Sequence, residues 1–145
     1  MINGFHTVIR LLVAAFLSGL IGFEREAHGR PAGLRTHVLV CVGSTLIMLT
    51  SIYMFEAYVG RVALDPTRIA ANVVTGIGFL GAGTILRSGA SIVGLTTAAS
   101  IWAVAGVGLA VGCGYYSGAF ATTFIILLTL LVLRKIENFV PGKKD

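Results

Sequence analysis

Charge is what this sequence has least of. Only 12% of its 145 residues are Asp, Glu, Lys or Arg, while 56% are hydrophobic and the mean hydropathy is +0.91. A soluble domain carries about 25% charged residues. A chain with half that share cannot cover its apolar side chains with polar surface in water, so its natural solvent is a bilayer. Cysteine is nearly absent, and two of them are too few for a disulfide framework. There is no Ser/His/Asp arrangement, no G-x-x-x-x-G-K-[ST] loop and no cage of clustered acids. Hydrolytic and ATP-driven chemistry therefore have no visible machinery, and the chain is expected not to be an enzyme. No run of basic residues interleaves with exposed aromatics, so the net charge of +5 reads as membrane topology, with no nucleic-acid partner expected.

What the chain does have is five apolar blocks. They run from about Val8 to Phe23, Val38 to Phe55, Ile69 to Leu86, Ile92 to Val111 and Tyr115 to Leu133. Each approaches the roughly 17–25 residues that a transmembrane helix needs. Hydrocarbon offers the backbone no hydrogen-bond partner, so each block must satisfy itself as a helix. The first block is expected to be a span rather than a signal peptide, because Glu24-Arg25-Glu26 follows it and no basic segment precedes it. The expected fold is all-α: a polytopic membrane helix bundle of five transmembrane helices over residues 1–136, then a short basic cytoplasmic tail, 137–145. Five spans put Arg25, Arg30, Arg35, Arg87, Arg134, Lys135, Lys143 and Lys144 on one side and Arg10, Arg61 and Arg68 on the other. That asymmetry predicts the N-terminus outside and the C-terminus in the cytoplasm. Tyr53, Phe55, Tyr58, Tyr115 and Tyr116 then form an outer aromatic belt.

The third block contains TGIGFLGAG, residues 75–83, which puts Gly76, Gly78 and Gly81 at the spacing G-x-G-x-x-G. A dinucleotide loop with that spacing follows a strand and opens a helix in a soluble βαβ unit. Here Asp65-Pro66 starts a helix upstream, with Asp as N-cap and Pro at the first helical position. The glycines therefore fall inside an apolar helix. Their expected role is close helix packing. Ala71, Thr75, Gly78 and Ala82 make one small-residue ridge, Ala99, Ala103, Gly106 and Ala110 a second, and Ala15, Gly19 and Gly22 a third; Gly76, Gly81 and Gly83 belong to the same expectation. The competing reading is an unwound segment whose carbonyls meet an ion.

Glu24, Arg25 and Glu26 end the first helix. Carboxylates at a helix C-terminus oppose its dipole and require cationic partners. Arg25, Arg30, Arg35 and Arg87 all lie on the same predicted face. The cluster is read either as an ion-pair network at the headgroups or as a site that binds a cation or gates a pore. Thr36 is placed to cap the second helix. His37 and Cys41, at i and i+4, are half of a soft-metal site with no third ligand in view. Asn72 is an amide one turn into the third helix, expected to bond another helix or to line a polar cavity. Thr96, Thr97 and Ser100 form a polar patch expected to bond back to helix carbonyls. Cys41 and Cys113 fall at opposite faces and are not expected to pair.

The runs GLIGFEREAHGRPAGLRTHVLVCVGS (19–44), DPTRIAANVVTGIGFLGAGTIL (65–86) and TTAASIWAVAGVGLAVGCGYY (96–116) resemble the MgtC/SapB family of bacterial inner-membrane proteins over nearly the whole chain. The resemblance implies a multi-pass inner-membrane protein tied to growth at low magnesium and to the survival of pathogens in macrophages. It also implies action on other membrane proteins such as the F-type ATP synthase. The motif residues it carries over are Glu24, Arg25, Glu26, Arg30, Pro31, Gly33, Leu34, Arg35, Thr36 and His37, then Asp65, Asn72, Gly76, Gly78, Gly81 and Gly83. Longer members continue into a cytoplasmic domain, so this sequence is expected to be a short form, and functions residing in that domain are in doubt for it.

The expectation is thus an accessory or regulatory protein linked to magnesium homeostasis and virulence. It acts through helix contacts with itself, as a homo-oligomer, or with membrane partners. No cofactor is expected, and magnesium has no recognisable octahedral site. The rival is a small cation or solute transporter. It requires a polar path from Asp65 and Asn72, past Thr75, to Glu24 and Glu26.

Overall fold

The computed structural model describes residues 3–61, 65–89 and 91–137. The expected tail lies, from residue 138 on, outside the described residues. Helix α1 spans Gly4–Ala27, α2 Leu34–Tyr58, α3 Thr67–Ala82, α4 Leu95–Cys113 and α5 Tyr116–Leu128. A π-helical turn, Thr129–Leu133, carries α5 into a last helical turn, α6, Arg134–Glu137. The α1, α2 and α4 helices and the continuous stretch Tyr116–Ile136 are each long and apolar enough to cross a membrane. With 16 residues, α3 is about 24 Å long, short of a hydrocarbon core of about 30 Å.

The third apolar block does not stay helical to Leu86. It ends at Ala82, and a two-stranded antiparallel hairpin follows, β1 (Leu86–Ser88) paired with β2 (Ser91–Val93) in the register Leu86 to Val93 and Ser88 to Ser91. Hydropathy does not see this break; glycine makes it. Gly89 and Gly94 adopt left-handed φ values of 63° and 91°. A side chain on Gly94 would also collide with the Thr84 carbonyl. The fourth helix accordingly starts at Leu95 rather than near Ile92. At its far end Gly114, φ 85°, closes α4 with Gly114 N–H donating to Val111 O and Tyr115 N–H to Ala110 O, a left-handed cap that lets α5 turn straight back.

The α2–α4 pair is the centre of the bundle, with α3 packed on it and α1 and α5 packed on it and on each other. The core is formed by Ala14, Leu17 and Ile21 of α1, Cys41 of α2, Val104, Val107 and Val111 of α4 and Ala119 of α5. Large apolar side chains such as Phe16, Phe23, Phe79 and Phe124 point outward, as a bilayer requires.

The close approach of α2 and α4 rests on Gly108 and Gly112. A Cβ at Gly108 would strike the Cys41 carbonyl, and one at Gly112 would lie 2.6 Å from Met48 Cβ. The Thr45 hydroxyl sits in that contact, 2.8 Å from Gly108 O and 2.9 Å from Cys41 O. The ridge expected on α4 is elsewhere: Ala99 and Gly106 are exposed, Ala103 is half-buried, and a Cβ at Gly106 would meet nothing within 4 Å. On α3, Ala71, Thr75, Gly78 and Ala82 are all exposed, and Gly76 and Gly78 have open space at Cβ. Gly81 does face a neighbour, where a Cβ would lie 3.6 Å from Ala98 O, while a Cβ on Gly83 would meet only its own helix at Leu80 O and Phe79 O. On α1, Gly22 lies against α2, where a Cβ would be 2.7 Å from Leu34 Cα, and Gly19 faces Leu34 and Val38. Hydropathy cannot rank these glycines, because which face is inward depends on where the neighbouring helices lie.

Candidate functional site

The polar residues gather at one end of the bundle, where α1 ends and α2 and α4 begin. Three buried side chains anchor the cluster: Glu24 at 7% exposure, Arg25 at 4% and His37 at 0%.

Glu24 Oε1 is 2.9 Å from His28 Nδ1, one turn on, and 3.9 Å from Arg134 Nη1 at the start of α6. His28 Nδ1 also lies 2.7 Å from Glu24 O. Both neighbours accept, so Nδ1 carries the proton. Arg25 reaches the other way: its Nη2 donates to Thr97 Oγ1 on α4 at 2.9 Å. Glu24 Oε2 and Arg25 Nε are buried and have no hydrogen-bond partner among the described residues.

Glu26 turns to α2. Its Oε2 accepts the backbone N–H of Leu34 at 2.8 Å. A carboxylate there complements the positive end of the α2 dipole and satisfies a donor that Gly33, with no side-chain cap, leaves open. Thr36, expected as the cap, lies inside the first turn. The unfavourable end of one helix is thus resolved by the favourable end of the next.

His37 ties α2 to α4. Its Nδ1 faces Gly33 O at 2.8 Å and its Nε2 faces Ser100 Oγ at 3.0 Å; Ser100 Oγ is also 2.9 Å from Thr97 O. A carbonyl only accepts, so Nδ1 holds a proton. A neutral ring then accepts from Ser100 at Nε2. A protonated ring donates there and frees Ser100 for Thr97 O.

Of the residues singled out in the sequence, Glu24, Arg25, Glu26 and His37 come together. Arg35 and Arg87 do not join the carboxylates: both are exposed, and Arg87 Nε donates to Gly89 O within the hairpin. Asp65 lies at the opposite end, where its Oδ1 accepts from Thr67 N–H and Thr67 Oγ1, closing the start of α3. Asn72 is exposed on a groove between α2 and α3. Ser100 bonds back to its own helix and also reaches α2, while the Thr97 hydroxyl, expected to bond back as well, instead accepts from α1. Reading by hydropathy missed two participants in the cluster, His28 and Arg134, and a polar contact of Arg10 at the other end of the bundle. The i, i+4 spacing of Glu24 and His28 was legible; Arg134 and Arg10 were counted only for topology. Arg10 Nη1 donates to Gly112 O at 2.7 Å, placing a cation at the α4 C-terminus.

The two carboxylates do not converge. Glu24 faces α6, Glu26 faces α2, and among the described residues no group of three His, Cys, Asp or Glu side chains is arranged to hold a metal. Cys41 is buried and Cys113 exposed, and neither is in a disulfide.

The profile of the MgtC family matches residues 11–139. The chain belongs to the MgtC family. It is 49% identical over 138 residues to the "Putative magnesium transporter YhiD" of Escherichia coli K12, covering 94% of this chain and 64% of that protein. It is 44% identical over 131 residues to MgtC of Salmonella typhimurium LT2, covering 90% and 54%, and 41% identical over 146 residues to SapB of Bacillus subtilis, covering 95% and 62%. The chain thus spans between 54% and 64% of the length of these relatives. No solved structure gives a significant match. Family membership and four long apolar helices make this a membrane protein.

Proposed function

We propose that this chain is a non-enzymatic accessory protein of the bacterial inner membrane that serves magnesium homeostasis and virulence through helix contacts. It sits with its N-terminus outside and the polar cluster facing the cytoplasm, as a homo-oligomer or beside a membrane partner such as the F-type ATP synthase. The observation that carries this reading is the use of the charged groups. Glu26, Arg25, His37 and Arg10 each bond a neighbouring helix, and the centre of the bundle is closed by Gly108 and Gly112 against α2. Such an arrangement fixes a shape rather than opening a path.

A second reading, cation transport, is favoured by one observation: the buried, unpartnered Oε2 of Glu24. The magnesium-transporter name of one relative points the same way. The two readings part in liposomes. Purified protein is reconstituted, and magnesium, potassium and proton movement are followed with internal dyes, beside Glu24→Gln. Flat traces from folded, oriented protein are expected. Flux that Glu24→Gln abolishes would replace the accessory role with transport.

A further inference from the structure

The groove between α2 and α3 encloses about 460 Å³. Its walls are aliphatic, with Leu39, Ile47, Ile69, Ile77 and Leu80 among them and no aromatic ring. From Ile69 to Leu80 it follows α3 for about 16 Å. Two glycines hold it open. Gly43 of α2 and Gly76 of α3 both line it, and a Cβ on either would meet nothing within 4 Å. Gly76 is the first glycine of TGIGFLGAG, and its role here is to leave space.

Only two polar side chains line the groove, Ser44 and Asn72. Neither makes a side-chain hydrogen bond within the described chain. Ser44 is 2% exposed as a residue, and it lines the groove. The hydrogen bond from Ser51 Oγ to Pro66 O sets the register of the two helices. Counting from it, Ser44 lies about 10 Å deep on α2 and Asn72 about 9 Å deep on α3. Two unsatisfied donors therefore stand at one depth, on opposite walls of an aliphatic slot. One turn above Asn72 is Arg68, exposed, its guanidinium without a hydrogen bond or ion pair in the described chain. The step from Arg68 to Asn72 is about 6 Å, which matches a headgroup layer roughly 5–8 Å deep.

We infer that this groove is a binding site for one phospholipid of the leaflet at the Asp65 end. Its acyl chain lies between Gly43 and Gly76, an ester carbonyl accepts from Asn72 Nδ2 and Ser44 Oγ, and its phosphate meets Arg68. Cation, ester donors and aliphatic slot follow one another in the order and spacing of the lipid's own parts. A flat aromatic ligand has no ring to stack on, and a second copy of the chain supplies no phosphate at the Arg68 level.

Native mass spectrometry of the delipidated full chain, titrated with palmitoyl-oleoyl phosphatidylglycerol, tests this. The wild type is expected to hold one lipid through conditions that strip the rest. Gly76→Leu and Gly43→Leu fill the slot and weaken retention about tenfold or more; Asn72→Leu with Ser44→Ala weakens it less; Gly106→Leu, on a different helix, leaves it unchanged. Equal retention in folded Gly76→Leu and Gly43→Leu overturns the site, as does a wild type that runs as a lipid-free dimer which Gly76→Leu dissociates. Photo-crosslinking of the unmodified protein with a phospholipid carrying a mid-chain diazirine gives a result independent of folding variants. Label is expected on Leu39, Ile77 or Leu80, and label confined to other helices sinks the proposal.

Discussion

Glu26, on the last turn of α1, accepts the backbone N–H of Leu34, the first residue of α2, at 2.8 Å. The contact depends on a missing side chain: a Cβ at Gly33 would sit 2.8 Å from Glu26 Oε2. Glu26→Ala is expected to lower stability by about 1 kcal/mol, the usual worth of an N-cap. Gly33→Ala should do comparable damage by displacing the same carboxylate. Thermal unfolding in detergent checks both, and a Gly33→Ala protein as stable as the wild type would show that the carboxylate tolerates displacement.

The glycines of α4 divide by face. Gly108→Ala and Gly112→Ala are expected to destabilise by about 1–3 kcal/mol, since rigid α2 backbone and Met48 occupy the space. Gly106→Ala should be neutral or stabilise by up to about 1 kcal/mol, because helix propensity improves and nothing is struck. The same melts order the three variants.

Adjacent threonines should behave oppositely. Thr97 accepts from buried Arg25, while Thr96 is exposed. Thr97→Val leaves a buried guanidinium with one partner fewer and is expected to cost about 2–3 kcal/mol. Thr96→Val should lie within about 0.5 kcal/mol of the wild type. Urea titration in mixed micelles distinguishes them.

Arg10 caps α4 from another helix, its Nη1 2.7 Å from Gly112 O. Arg10→Ala is expected to cost about 1–2 kcal/mol, with Arg10→Lys recovering part. Faster amide exchange at Ala110 to Gly114 in Arg10→Ala would localise the loss to the end of α4.

Asp65 supplies an acid limb. Bonds from the Thr67 hydroxyl and backbone N–H hold its carboxyl below the ordinary value of 3.8. A depressed carboxylate contributes stability above its ordinary value and loses it as pH falls through the folded value. Protection of the first α3 amides should therefore hold down to about pH 4 and decline below it. Asp65→Asn, which still caps but does not titrate, should show no such decline.

Composition and hydropathy determined the solvent, the number of helices and their approximate spans, because a backbone in hydrocarbon has no alternative to bonding itself. Local chemistry was partly legible: Asp65 bonds into the start of α3, but the helix begins at Thr67 with Pro66, not Asp65, in the N-cap position. Only tertiary structure decided which glycines touch. Gly108 and Gly112 meet a neighbour, and Gly76, Gly78 and Gly106 meet none, although all five read alike in a string of small residues. It also decided the partners of the charges. The carboxylates at the end of α1 were expected to need Arg35 and Arg87; Glu26 found the amide of Leu34, and Glu24 found His28 and Arg134. Backbone donors carry no letter in a sequence, and the side chain opposite a buried charge is fixed by where distant helices cross.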